Sequence, residues 1–405
     1  MEENQANDTK RKAVGLVVNQ SEFAANLLTA LTAVDQKHCN LICSPLSIQS
    51  AMTICMVGAR RNTVKEMMDV LYPNDPQKDI TVNGERVITS EIVKLCRYYN
   101  TKFRLRIVNN HQHPMVRIVN KLWIVNNFKI INSYHNASGL DTVGYFDKSE
   151  GQKSADIVNQ WISQNTNNKI KQIVDRQIMS ESDMLITNAI YFSSKFMVPF
   201  DKERTEHNVP FGDHEPLIKS REVTMMYSKA QRFFALKVNE IWDVVKLECA
   251  YSSLSLFLVI NNHGDGCEAE LSTNELMNWC PSTKRQCELW VPKFRFEGEM
   301  KLNSALKGMG MVDVFDEKSG DFHGIDESGE PFVTSVIHKA VIEMHEEGPE
   351  APAAALYPQL MDSYRNFFTK PTPVVPKIRF DRPFTFHIID EERESVLFCG
   401  RFSGK

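Results

Sequence analysis

Helix-spaced apolar residues crowd the first third of the chain, and β-branched or aromatic runs fill the rest. Segregation of this kind predicts an α+β fold, because a doubly wound sheet would alternate the two patterns. The sequence also has no internal repeat, low-complexity linker or break in composition. One large domain over residues 1–405 is therefore expected, although the length alone would allow two or three.

The helices come first. Phe23, Leu27, Leu28, Leu31 and Val34 recur at helical spacing after Ser21. In "SPLSIQSAMTICMVGA", Ser44 is placed as N-cap and Pro45 at the first helical position. That segment is apolar nearly all round, which predicts a buried helix. Asn62 is placed to cap a third helix carrying Val64, Met67, Met68 and Leu71, and another amphipathic pattern surrounds Ile157, Trp161 and Ile162. Strand-like runs follow at 184–192, 243–249, 254–261, 288–296, 384–389 and 395–402. Several end in turn residues such as Asn261-Asn262-His263-Gly264.

Composition narrows the function. The chain is 42% hydrophobic and 24% charged, with a net charge of -4, which is not the basic excess of a nucleic-acid binder. The start, "MEENQANDTKRKAVG", has no apolar core of signal-peptide length, and no run is long enough for a membrane span. The nine cysteines follow no spacing pattern and fit reduced thiols better than a disulfide framework. A cytoplasmic protein is expected, or one exported without a classical signal peptide. On that reading the glycosylation patterns at Asn7 and Asn136 are chance matches.

The sequence has no G-x-S-x-G elbow, P-loop or H-E-x-x-H motif, so no catalytic residue and no cofactor are assigned. "GMG" at 308–310 lacks the remaining glycine of a dinucleotide loop. His345-Glu346-Glu347 lacks a second histidine. His111 and His113 are candidate metal ligands, but two histidines in a polar loop are usually solvated. His263, Cys267, Cys280 and Cys287 contain no zinc-like C-x2-C pair and read as ordinary core or surface thiols, so no metal is assigned. Lys94, Arg97, Lys102, Arg104 and Arg106 form a basic cluster. A solvated face explains it most simply, and a polyanion such as heparin is the alternative ligand.

One stretch fits no regular element. "HEEGPEAPAAALYPQLMDSYRNFFTKPTP", residues 345–373, lies between two strand-like runs. With its neighbours, "HKAVIEMHEEGPEAPAAA" (338–355) resembles the hinge that opens the reactive loop of serpins. "NLICSPLSIQSAM", "TNAIYFSSKFMVPFD", "VPKFRFEGEMKLNSALKGMGMVDVF", "DFHGI" and "RPFTFHIID" with "SVLFCGRF" resemble further serpin segments, in the family's order. The match runs over roughly residues 20–402 and is most similar to the serpins without a signal peptide.

The resemblance implies a monomer of about nine helices around three β-sheets, with an exposed reactive-centre loop at about 346–376. It implies a suicide substrate rather than an enzyme. The partner is a serine protease that attacks the loop and forms an acyl-enzyme. The cut loop then inserts as a new strand and distorts the protease before water releases it. The hinge would be Glu346, Glu347, Gly348, Pro349, Glu350, Ala351, Pro352, Ala353, Ala354 and Ala355. A strand alternates its side chains, so Pro349, Ala351, Ala353 and Ala355 would share one face and Glu350, Pro352 and Ala354 the other. Small residues suit a slot between packed strands, although a plain flexible linker favours them too. By the same resemblance Asn188 and His338 lie on the strands that part, with Ser44 and Ser47 beneath them, forming a shutter. A helix cap and a satisfied core histidine are the plainer roles for Ser44 and His338.

The sequence departs from the family in three ways. Inhibitory serpins usually carry Thr or Ser at the place of Pro349 and a small non-proline residue at Pro352. Each proline costs about 3 kcal/mol in a ladder. A new strand gains on the order of 10 kcal/mol at about 0.5–1.5 kcal/mol per bond. Insertion is then still downhill but slower, which favours a non-inhibitory, substrate-like serpin as an alternative. Ser194 stands where glycine is common, and Phe196 where tryptophan is usual. The segment from Gly348 to Pro383 is also longer than is usual. The family's spacing from the hinge glycine lands on Asp362-Ser363, a bond suited to caspases or acid-preferring granzymes. The added length would move it to Arg365-Asn366, suited to trypsin-like proteases. Arg365 is favoured on the frequency of trypsin-like targets, and Asp362 on spacing.

Overall fold

A computed structural model describes residues 22–31, 40–73, 81–82, 85–86, 116–139, 142–193, 195–212, 221–238, 240–250, 252–262, 283–347, 375–392 and 395–404. Helix α1 (22–31) buries Phe23, Leu27 and Leu31. Strand β1 (Leu41–Cys43) leads into α2 (Pro45–Met56), every residue of which is buried. Ser44 caps α2 as expected, its side chain accepting from the Ser47 N–H. Helix α3 (Arg61–Leu71) buries Val64, Met67, Met68 and Leu71 on one face.

Asn62 does not cap α3. The helix begins at Arg61, with Arg60 in the N-cap position two residues before Asn62, and it has no side-chain cap. Asn62 lies within its first turn and donates instead to Glu66 and Asp313. An amide already inside the helix cannot reach the orphan N–H groups ahead of it.

A two-residue pair, β2 (Thr81–Val82) and β3 (Glu85–Arg86), stands apart. Then come β4 (Val116–Val125), α4 (Asn132–Ser138), β5 (Val143–Phe146), α5 (Gly151–Asn165), α6 (Arg176–Glu181) and β6 (Met184–Ser193). The later strands are β7 (Asp201–Phe211), β8 (Arg221–Val238), β9 (Trp242–Glu248), β10 (Leu254–Asn261) and β11 (Arg285–Lys301). Helix α7 (Asn303–Gly308), β12 (Val333–Met344), β13 (Lys377–Arg379), β14 (Phe384–Asp390) and β15 (Ser395–Phe402) complete the fold.

Among the described residues there are seven α-helices against about nine expected, and three sheets joined by two long strands. The first half of β8 pairs with β7 and β11, and its second half with β9. The first half of β11 pairs with β8 and β13, and its second half with β12. One sheet therefore reads β11-β12-β6-β4-β5, a second β7-β8-β11-β13, and a third β8-β9-β10-β14-β15-β1.

Alternation sets the two faces of the first sheet. On β6, Leu185, Ala189 and Tyr191 face α5, while Ile190 and Phe192 face the opposite core. Both faces are covered, so β6 reads as a near-continuous apolar run.

Candidate functional site

β6 and β12 lie side by side and parallel, from Val333 opposite Met184 to Glu343 opposite Ser193. Three residues separate the end of β12 from Gly348. The reactive bond expected at Arg365-Asn366 or Asp362-Ser363, and hinge residues Gly348, Pro349, Glu350, Ala351, Pro352, Ala353, Ala354 and Ala355, lie outside the described residues. So do Ser194 and the basic cluster Lys94, Arg97, Lys102, Arg104 and Arg106.

Beneath the strand pair the structure brings Ser44, Ser47, Asn188 and His338 together, all fully buried. Asn188 is opposite His338 on β12 and opposite Asn120 on β4, so three polar residues form one row across three strands. The Asn188 amide donates to Ser47 Oγ and Asn120 Oδ1, and Ser47 Oγ donates to Asn120 Oδ1 at 3.2 Å. Asn188 Oδ1 can only accept, so its bond with His338 Nδ1 places the histidine proton on Nδ1. His338 Nε2 then accepts the Ser44 backbone N–H at 3.3 Å. Burial pushes the His338 pKa down to about 3. A second proton on Nε2 would also face the Ser44 N–H, so geometry and burial both favour the neutral ring.

Sequence reasoning missed Asn120. The signal was present: in "VRIVNKLWIV" it falls on the alternation that sends Ile118 and Leu122 inward.

A second, charged cluster rings the upper end of the same strands. Glu343 on β12 accepts from Lys169 Nζ at 3.1 Å, Arg295 Nε at 2.9 Å and Tyr191 Oη at 2.8 Å. Burial alone would raise the Glu343 carboxyl, but bonds from Tyr191, Arg295 and Lys169 hold it below the ordinary glutamate value. Glu346 accepts from Lys293 at 2.9 Å and from the Thr205 hydroxyl at 3.2 Å. Burial likewise opposes its charge, and Lys293 overcomes that, leaving its pKa lowered.

The two glutamates expected to open the hinge are also fixed through their backbone. The Phe196 N–H donates to the Glu347 carbonyl at 3.1 Å, and the Phe200 N–H to that of Glu346 at 3.0 Å. Phe196 is buried, edge-on to Phe200 with 5.9 Å between ring centroids. Arg232, buried behind this turn, donates to the Val198 carbonyl at 3.1 Å. Among the described residues no group of three or more metal-ligating side chains occurs, and no helix is long and apolar enough to cross a membrane.

A three-sheet α+β fold with a long connection leaving the end of one strand of a tightly closed parallel pair defines a narrow class of protein. The family model described as Serpin (serine protease inhibitor) matches residues 18–404, and the chain belongs to that family. A serine protease inhibitor of Cyanea capillata is 29% identical over 95% of this chain and 97% of its own length. A leukocyte elastase inhibitor of Xenopus tropicalis is 28% identical over 90% of this chain and 93% of its own. Uncleaved ovalbumin superposes with a TM-score of 0.77 at 21% identity, covering 95% of this chain and 98% of that one, a likeness of fold.

Proposed function

We propose that this chain is a suicide-substrate inhibitor of trypsin-like serine proteases, with Arg365 as bait. The observation that carries the reading is the direct parallel pairing of β6 with β12. A chain leaving the end of β12 and folding back runs antiparallel to β12, and therefore to β6. Entering between them, it replaces one parallel ladder with two antiparallel ones, which are somewhat more stable per residue. The closed pair thus stores a downhill step, and cleavage of the loop would release it. The row Asn120–Asn188–His338 on Ser44 and Ser47 acts as a shutter in this reading, and the Glu343 and Glu346 clusters fix the point where the loop turns in. The partner is the target protease, held covalently, and the inhibitor works as a monomer.

Pro349 and Pro352 support a second reading, in which insertion is too slow and the protein is cut without trapping its protease. Incubation with trypsin, a denaturing gel and mass analysis of the released C-terminal peptide separate the two. A stable complex with a peptide starting at Asn366 is the expected result. Cleavage at that bond without a complex would leave a non-inhibitory serpin. A complex formed only with a caspase, releasing a peptide that starts at Ser363, would move the bait to Asp362.

A further inference from the structure

Strand β1 ends the order of the third sheet and pairs antiparallel with β15, with Cys43 directly opposite Cys399. Their sulfurs lie 3.3 Å apart, both buried, with one thiol donating to the other. The two strands approach closely here. A Cβ added at Gly400, next to Cys399, would lie 2.2 Å from the Leu41 carbonyl oxygen. Side chains directly opposite each other in a ladder leave on the same face, which is the arrangement a cross-strand bond needs. Cys43 also immediately precedes Ser44, the cap of α2 whose N–H meets His338.

We propose that Cys43 and Cys399 are an oxidisable dithiol, closed to a disulfide by a hydroperoxide, and that the bond fastens the start of α2 to β15 and stabilises the closed form. One sulfur attacks a peroxide oxygen: an S–O bond forms, the O–O bond breaks, and water or an alcohol leaves. The second sulfur attacks the resulting sulfenic acid: the S–S bond forms, the S–O bond breaks, and the second thiol's proton leaves with the hydroxyl as water. The dithiol gives up two electrons and the peroxide takes them. The sulfurs must close from 3.3 Å to about 2.05 Å, a movement within reach of χ1 adjustments in a three-residue end strand.

Reaction is slow on the intact fold. The bond with Cys399, and then burial, hold the Cys43 thiol well above its ordinary pKa, so thiolate is scarce. Every residue of β1 is buried, so oxidant reaches the pair only when β1 opens locally. The chemistry does not depend on protease inhibition. Slower loop insertion after oxidation would follow only if the inhibitory reading holds.

The test uses the full chain in two redox states. After hydrogen peroxide, remaining thiols are blocked with N-ethylmaleimide in denaturant and peptides are mapped without reduction. The expected result is a peptide joining Cys43 to Cys399, 2 Da lighter than the sum of its reduced parts. Guanidinium unfolding should shift to a higher midpoint, reversed by dithiothreitol, with the folding equilibrium moved about thirtyfold to a thousandfold. Cys43→Ala and Cys399→Ala, where they fold, should each abolish the shift. Recovery of both residues as separately alkylated thiols, or a cross-link that lowers the midpoint, overturns the proposal. Trapping of trypsin, measured on the same two samples, reports on inhibition separately, because the cross-link is read by mass alone.

Discussion

The two polar clusters that fasten β6 to β12 use opposite physics. The row of Asn120, Asn188 and His338 is uncharged, with Asn188 and His338 fully buried and Asn120 half-buried at its β4 end, whereas the Glu343 cluster is ionic and half open to solvent. In the interior a neutral bond is hard to replace, because no water waits to satisfy its partners. At the rim each ion pair competes with water and salt, and contributes little by itself. The strand pair is thus held firmly at its middle and loosely at the end nearest the loop. A strand entering from that end meets the weaker fastening first.

The sharpest way to break this contrast is His338→Ala. It leaves Asn188 Oδ1 and the Ser44 N–H buried without their partner, and a loss of about 2–4 kcal/mol is expected in urea unfolding. A loss under 1 kcal/mol would mean the row is not a fastening.

Acid comes next. His338 falls to about 3 in the fold and His387, likewise buried, to about 4. Both start near 6.5 in the unfolded chain, so below that pH the unfolded state binds more protons. Stability is complete above pH 6.5 and falls as pH drops towards those folded values. At pH 5 each histidine costs about 2 kcal/mol. The depressed Glu343 and Glu346 act in a lower window, contributing above the ordinary glutamate pKa and losing that contribution as pH falls through their folded values. Denaturant midpoints measured from pH 7.5 to 5 would show the loss beginning near 6.5. A flat profile down to pH 5 would contradict a buried neutral His338.

The rim should give the smallest effects. Lys169 is 40% exposed, so Lys169→Met should cost less than about 1 kcal/mol. About 1 M salt should erase most of that difference, yet leave the His338→Ala loss intact. Equal salt dependence for both variants would dissolve the comparison.

How much of this could be read from residues alone depended on range. Ser44 and Pro45 announced the start of α2 locally, and apolar runs announced β6, β9, β10, β11, β14 and β15, six of the fifteen strands among the described residues. Strand β4 was harder, because Arg117, Asn120 and Lys121 interrupt its alternation. The double membership of β8 and β11 has no local signal, since each changes partner midway along an unbroken strand. Asn188 and His338 stood out through family resemblance, but their pairing spans 150 positions. Glu343 escaped notice because its partners are 174, 152 and 48 positions away, and a lone glutamate beside a hinge looks like any solvated charge. Periodicity reports which face a residue occupies; it does not report which distant residue meets it there.

The order of the first sheet has a mechanical consequence. In β11-β12-β6-β4-β5, the β6–β12 ladder is the seam between a leaf of three strands and all the rest of the sheet network. Parting it leaves every other ladder whole. In the inhibitory reading proposed above, the smaller leaf would swing about α2, which meets Asn188 through Ser47 on one side and His338 through Ser44 on the other. Such a motion belongs with hinge movements on the microsecond-to-millisecond scale, not with unfolding. In that reading, a berth one strand wide would open at this seam with every other ladder intact.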